Sequence, residues 1–520
     1  MELSSCLAPD FHGFPLGRRI LAAPGSSEKM MEVSKSEFIF VRRAGALLVC
    51  AGFGLAGAST LVQGQAANQS SAANPFFGSV TAQPKTDDAL KLSLDDAVRR
   101  GLENNLGLKE AESSELLLHG EKNEALQEFL PTVNVSGGTG VFQHNLAAQG
   151  FGPGTFAKFG GLFPGGKNPT GISEITKDDL TQGQVNFKEY LFSGPVIAGW
   201  KAAGAADRAA HFAKMSARGE VVQQVATAYL HAIAAASEVE DAAALEQADR
   251  VLFDQAHAAH EAGTAANLDE LRARVQLQAQ QQAVIAAQNS LDKNLILLKR
   301  EIGVDPGQKI VLTDAAPYSE LAAQTPDEVR VIAYQNRQDY QNLQNQLVEV
   351  KALHAVYRAQ RLPTLSFGGF YGVDRVNGSG SHGNFAAVGT ISIPLFAEAR
   401  LRGDEQAAAA QLASVSSQLA DLRGHIDQQV RSALLDVDAA NKLVDVARSN
   451  VDLATRSLSD ETDRVNAGVD DNLPLVTAQA TLASAQNNLI ESLFQYNLSK
   501  LALARASGVL EQQYRVYLGR

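Results

Sequence analysis

Few residues in this 520-residue chain have the type and spacing that chemistry needs. His257 and His260 lie three apart in an alanine-rich stretch, with Glu261 adjacent. On a helix that spacing puts two imidazoles on one face, the start of a metal site. Metal sites need more ligands than this, and two histidines on a soluble face ordinarily mark a solvated helix. "GLFPGGKN" (161–168) nearly spells a phosphate-binding loop. Asn168 stands where Ser or Thr must reach the magnesium, and Pro169 and Gly171 interrupt the helix that should follow. No Ser/His/Asp constellation has local support, the ten histidines being scattered. Asp470 and Asp471 are the sharpest pair, adjacent acids in a short turn between two long helical patterns. They either cap a solvated turn or, repeated around an axis, form a ring that attracts cations and repels anions. Chemistry of that second kind is conduction, so the sequence predicts neither an enzyme nor a bound metal or cofactor.

Composition narrows the classes further. A net charge of −12, with no basic run in the body of the chain, argues against a nucleic-acid partner. The two cysteines, Cys6 and Cys50, leave everything downstream free of thiols, which excludes disulfides, cysteine nucleophiles and zinc-thiolate sites there. Arg42-Arg43 precede "AGALLVCAGFGLAGAS", an apolar stretch of signal-peptide length followed by small residues that suit cleavage within 58–66. Met30 or Met31 could be the true initiator. Val49 is bulky where a lipid-attachment site wants a small residue, so Cys50 is not read as lipidated. No later stretch approaches ~20 unbroken apolar residues, hence no transmembrane helix is expected.

The elements that would position such residues come in two copies. "FLPTVNVSGGTG" (129–140) and "RLPTLSFGGFYG" (361–372) each follow a helix and open a strand. Ser93 before Asp95-Asp96, and Thr325-Pro326-Asp327-Glu328, mark the two helix starts. These helices should run to about Phe129 and Arg361. Strands are expected at about 131–142 and 183–192 in the first copy, and at about 363–374 and 384–396 in the second, with a loop over 143–182. Apolar and polar residues alternate for about ten positions, which suits a tilted membrane strand with lipid on one side and water on the other. A soluble antiparallel sheet alternates in the same way. Long alanine-rich helical hairpins follow, at 195–302 and 399–508, turning at "AGTAANLDEL" (262–271) and "AGVDDNLPL" (467–475). Gly263 and Gly468 are the turn glycines. Helices of that length, on the order of 100 Å, are foreign to ordinary globular domains. Four strands cannot close a barrel, so membrane strands would force the chain to oligomerise; three chains would supply twelve strands.

This order, stated twice over about residues 90–510, resembles the TolC-type outer-membrane efflux family. The resemblance rests on the two Leu-Pro-Thr strands, on "LFSG" (191–194) and "PLFAEAR" (394–400), and on the hairpin turns. Gly263, Asp269, Leu271 and Ala273 match the family's hairpin-tip motif; in the second copy Gly468 and Ala478 match, while Pro474 stands where the acid would be. The resemblance implies a mixed α/β membrane protein built from a duplicated unit of helix, two strands and long helical hairpin. It implies a homotrimer with a β-barrel in the outer membrane joined to a periplasmic α-helical barrel. It also implies contact with outer-membrane lipid, a periplasmic adaptor (membrane fusion) protein, and an inner-membrane transporter of RND, ABC or MFS type. The function implied is a passive exit duct for a tripartite efflux pump or type I secretion system, exporting small molecules or proteins.

Within that frame the chain divides into a leader and signal peptide (1–66), a flexible periplasmic segment (67–92), a first repeat (93–302), a linker (303–325), a second repeat (326–508) and a tail (509–520). Asp470, Asp471 and Asp269 are the candidates for the periplasmic entrance. Gly263, Leu268, Leu271, Gly468 and Leu473 are the candidates for adaptor docking at the tips. Tyr190, Phe192, Trp200 and Phe396 are the expected membrane-interface aromatics. A periplasmic helical-hairpin adaptor is the main rival, and it would lack four amphipathic strands. A coiled-coil structural protein of the envelope would not interrupt its helices with paired strands at matched positions.

Overall fold

The computed structural model describes residues 73–80, 83–145, 175–263, 266–314, 318–467 and 472–519. The leader, both cysteines and the phosphate-loop look-alike at 161–168 lie outside the described residues. After a short strand β1 (Leu90–Leu92), the first repeat runs α1 (Leu94–Asn104), α2 (Leu106–Gln127), β2 (Thr132–Asn145), β3 (Ile175–Phe192), α3 (Gly194–Glu261) and α4 (Asn267–Ile302). Strand β4 (Ile310–Leu312) pairs in parallel with β1. The second repeat runs α5 (Pro326–Asn336), α6 (Gln338–Ala359), β5 (Thr364–Val376), β6 (His382–Ser392), α7 (Glu398–Asn466) and α8 (Asn472–Ala506), with α9 (Leu510–Tyr517) closing the chain. Corresponding helices match almost residue for residue: 11 and 11, 22 and 22, 68 and 69, 36 and 35. The two hairpins of strands absorb the difference in length between the repeats.

Local chemistry explains the boundaries. Ser93 Oγ accepts from the Asp96 amide, and Asp314, over two hundred residues away in sequence, accepts from the Leu94 amide at 2.8 Å. Thr325 and Glu328 form a reciprocal capping box with Pro326 in the first turn. Where the sequence suggested one continuous helix before each strand pair, there are two, broken at Asn105 and Arg337. Asn105 is buried and extended; its side-chain oxygen caps α2 at the Leu108 amide while its amide donates to the Phe76 carbonyl at 2.7 Å. Buried Arg337 makes the second break by pairing with Asp339 at 2.6 Å and donating to Gln429 and to the Ala506 carbonyl. Gly508, with φ of +77°, ends α8 directly against this residue, and a Cβ there would fall 2.7 Å from the Arg337 amide nitrogen. Only glycine fits.

The main core sits where the middles of α3 and α7 meet the C-terminal ends of α4 and α8, away from the hairpin tips. Val221, Val225, Tyr229 and Ile233 of α3 meet Leu298 and Ile302 of α4, Ile426 and Val430 of α7, and Leu501 and Leu503 of α8. One acid is sealed beside it. Glu301 is buried, its Oε2 has no hydrogen-bond partner, and burial pushes its carboxyl up to about 8. The folded chain therefore keeps a proton there that the unfolded chain releases near pH 4.5, so stability falls as pH rises from about 4.5 to about 8. Glu301→Gln removes the ionisation. Thermal unfolding should show the variant melting above the wild type at pH 8 and together with it at pH 4; equal melting temperatures at both would mean the carboxylate is not held neutral.

The four longer strands form one antiparallel sheet in the order β2-β3-β5-β6, with the β3–β5 pairing joining the two repeats. Register sorts its faces. One face stacks Val133, Phe187, Gly369 and Ala387 in a row, then Val135, Val185, Tyr371 and Phe385, then Val373 among glycines. The other stacks Asn134, Asn186, Phe370 and Ala386, then Ser136, Gln184, Gly372 and Asn384, then Gln182, Asp374 and His382. Among the described residues no helix covers the apolar face: Val135, Tyr371 and Phe385 are all exposed. Strand β3 begins at Ile175, eight residues before the expected start, so part of the expected loop is strand and its remainder, 146–174, lies outside the described residues. Strand β6 ends at Ser392, and the expected last four residues leave the sheet.

Candidate functional site

The far ends of the two long hairpins come together. Leu252 and Ala256 of α3, Ala273 of α4 and Leu475 of α8 form a small buried cluster, flanked by Leu458 and Val465 of α7. Beside it lies an apolar groove of about 360 Å³ lined by Leu268, Leu271, Arg272, Val275 and Gln276 of α4 and by Leu473 and Val476 of α8. Leu268, Leu271 and Val275 follow the i, i+3, i+7 spacing of one helix face, and Leu473 and Val476 add the second hairpin's first turn. Thus three expected docking leucines, distant in sequence, line one surface. Sequence reasoning missed Val275 and Val476, although each continues a leucine's helical spacing.

Gly263 ends the first hairpin's descending helix with φ of +71°, and its amide donates to the His260 carbonyl at 2.9 Å. Asp269 sits in the first turn of α4, 3.5 Å from Arg272. Gly468, Asp470 and Asp471 lie outside the described residues. His257 and His260 face Glu270 across the hairpin, with His257 Nδ1 3.0 Å and His260 Nε2 3.9 Å from its carboxylate. Among the described residues no group of His, Cys, Asp and Glu could hold a metal ion.

At the opposite end, the expected interfacial aromatics divide. Register places Tyr190 on the polar face, opposite Ser366, where its hydroxyl accepts from Lys188 at 3.2 Å. A bulge between Tyr190 and Phe192 then sets Phe192 opposite Leu365. Trp200 packs edge-on against Phe129, ring centres 6.0 Å apart, where α3 leaves the sheet. Phe396 is fully exposed just past β6, beside exposed Leu395.

The family model for outer membrane efflux proteins matches residues 97–304 and 329–509, about three quarters of the chain and one stretch per repeat. This chain belongs to that family. Solved structures of outer membrane channels share its fold. A membrane protein from Pseudomonas aeruginosa superposes with a TM-score of 0.68 at 19% identity, over 80% of this chain and 93% of that one. The Campylobacter jejuni CmeC outer membrane channel gives 0.67 at 15% identity, over 87% and 94%. The Vibrio cholerae outer membrane protein VceC gives 0.64 at 18% identity, over 80% and 96%. No curated protein matches the sequence. This efflux protein therefore has the mostly helical, duplicated architecture of the outer membrane channels, with one antiparallel sheet. Its family consists of channel proteins rather than enzymes. Among the described residues no helix is long and apolar enough to cross a membrane.

Proposed function

We propose that three copies of this chain join their four-stranded sheets edge to edge into a twelve-stranded barrel in the outer membrane, with the long hairpins forming a periplasmic tunnel below. The assembly is a passive exit duct for a tripartite efflux pump or type I secretion system. One observation carries this reading: the sheet has one exposed apolar face, one polar face and two strand edges, β2 and β6, with no partner strand among the described residues. In lipid every backbone amide and carbonyl needs a partner, and closure between copies supplies it at both edges. The apolar rows from Leu365 to Val373 span nine residues of β5, roughly 20 Å of membrane depth at a strand tilt near 45°, close to the apolar band of known barrels. Light scattering of the detergent-solubilised protein should give a trimer. A stable monomer with its full strand content would sink the barrel.

Within that assembly the hairpin tips face the periplasm. There the groove at Leu268, Leu271 and Leu473 receives a periplasmic adaptor, which couples the duct to an RND, ABC or MFS transporter in the inner membrane. Asp470 and Asp471 would place six acids near the entrance. Planar-bilayer recordings should therefore show cation selectivity that weakens as pH falls, because clustered carboxylates take up protons. Asp470→Asn/Asp471→Asn should lose much of it. Reversal potentials that coincide for the two proteins at every pH would place these acids away from the pore.

A further inference from the structure

The tertiary structure brings the histidine pair to one carboxylate. His257 and His260 occupy the last two turns of α3, and Glu270 the first turn of α4. His257 Nδ1 lies 3.0 Å from Glu270 Oε1, His260 Nε2 lies 3.9 Å from Oε2, and His257 Nε2 lies 3.5 Å from Glu261. Two imidazoles from one helix thus converge on one carboxylate of the next, and Glu270 is the most enclosed of the three, its side chain 17% exposed. Phe253 stacks on the His257 ring, 5.9 Å between centres and 11° between planes, which holds that imidazole in place. Both helix ends favour this charge arrangement, because a C-terminus attracts cations and an N-terminus attracts anions.

We propose that this cluster is a proton-responsive latch on the first hairpin tip, and that it regulates the docking groove. Histidine is the side chain that changes charge between pH 5 and 8. Protonation turns a neutral contact into a charge-assisted clamp on Glu270. Glu270 lies between Leu268 and Leu271, so pinning it pins the α4 half of the groove. Glu270 is the carboxylate that both imidazoles approach, and other charges lie near it. On α4, Asp269 faces Arg272 at 3.5 Å, and Arg274 is exposed; on α3, Asp254 is exposed. The second hairpin meets this end through Leu458, Val465, Leu475 and Val476, and its Glu461 and Arg464 pair with each other at 3.8 Å. That hairpin has no latch of its own. The positions equivalent to His257, His260 and Glu270 are Thr462, Val465 and Leu475. The histidine latch belongs to the first tip.

The clamp can be tested without an adaptor, and its regulatory role rests on the docking reading above. Hydrogen exchange on the full-length trimer, corrected for the intrinsic pH dependence, reads amides 252–263 and 266–275 at pH 5.5 and 7.5. Protection in the wild type should rise several-fold at pH 5.5, and His257→Gln/His260→Gln should abolish the change. The second tip's amides should behave alike in the two proteins. Equal wild-type protection at the two pH values, or a pH response that survives in the variant, overturns the latch. In cells, crosslinked adaptor should be recovered several-fold more at external pH 5.5 than at 7.5 with the wild type, and equally with the variant. Recovery that ignores pH in the wild type overturns the regulatory role. Failure of the docking reading itself shows separately, as adaptor recovery unaffected by charge at Leu268 and Leu473.

Discussion

Val185→Arg should remove this protein from the outer membrane, while Gln184→Arg, one residue earlier on the same strand, should leave it there. Val185 stands in the middle row of the apolar face, between Val135 on β2 and Tyr371 on β5. Gln184 points the opposite way, into the row of Ser136 and Asn384. An arginine facing hydrocarbon at mid-membrane costs about 2–4 kcal/mol, and in a trimer three copies incur it at once. A marginally stable protein does not absorb that. An arginine on a water-filled lumen costs little. The measurement is the outer-membrane fraction of each variant and its resistance to heat and protease. If both variants insert equally well, the sheet does not meet lipid through this face, and the barrel reading fails with it.

That contrast of neighbours rests on a feature legible in sequence. Alternation in "VNVS" and "LSF", carried on by Tyr371 and Val373 and broken by Phe370, gives the period and the face, because a strand's side chains alternate whatever the sheet's surroundings. The outer half of β3 was not legible for the complementary reason. "ITKDDLTQ" carries almost no apolar contrast, and its strand state comes from pairing with β2 and β5 rather than from its own pattern. Parity also fails at a bulge. Tyr190 and Phe192 read as one aromatic belt, yet parity keeps Tyr190 with Lys188 on the polar face and the register shift after it sets Phe192 opposite Leu365. The breaks at Asn105 and Arg337 escaped notice because neither is a proline or glycine. Arg337 in particular breaks its helix through Gln429 and Ala506, residues that only tertiary folding brings near. Glu270 was invisible as a partner for the same reason, since the hairpin turn must form before α4 lies beside the last turns of α3.

The second large effect belongs to the tips. Leu268→Asp and Leu473→Asp, singly and together, should abolish recovery of the periplasmic adaptor after crosslinking in cells, with trimer formation and membrane insertion intact. Both leucines are about half exposed and line one groove from different hairpins. Their burial by a partner would contribute about 1.5–3 kcal/mol each, and an aspartate in the same place would forfeit that burial and lose its own hydration on docking. Together these terms are worth several powers of ten in affinity. The fold should tolerate the change, because the buried cluster beneath the groove is built from Leu252, Ala256, Ala273 and Leu475, none of which is altered. Arg272, also in the groove, offers an internal control. If docking is driven by apolar contact, Arg272→Gln should weaken recovery far less than either leucine change. Undiminished recovery in both aspartate variants would move the docking surface off the tips, to the sides of the long helices.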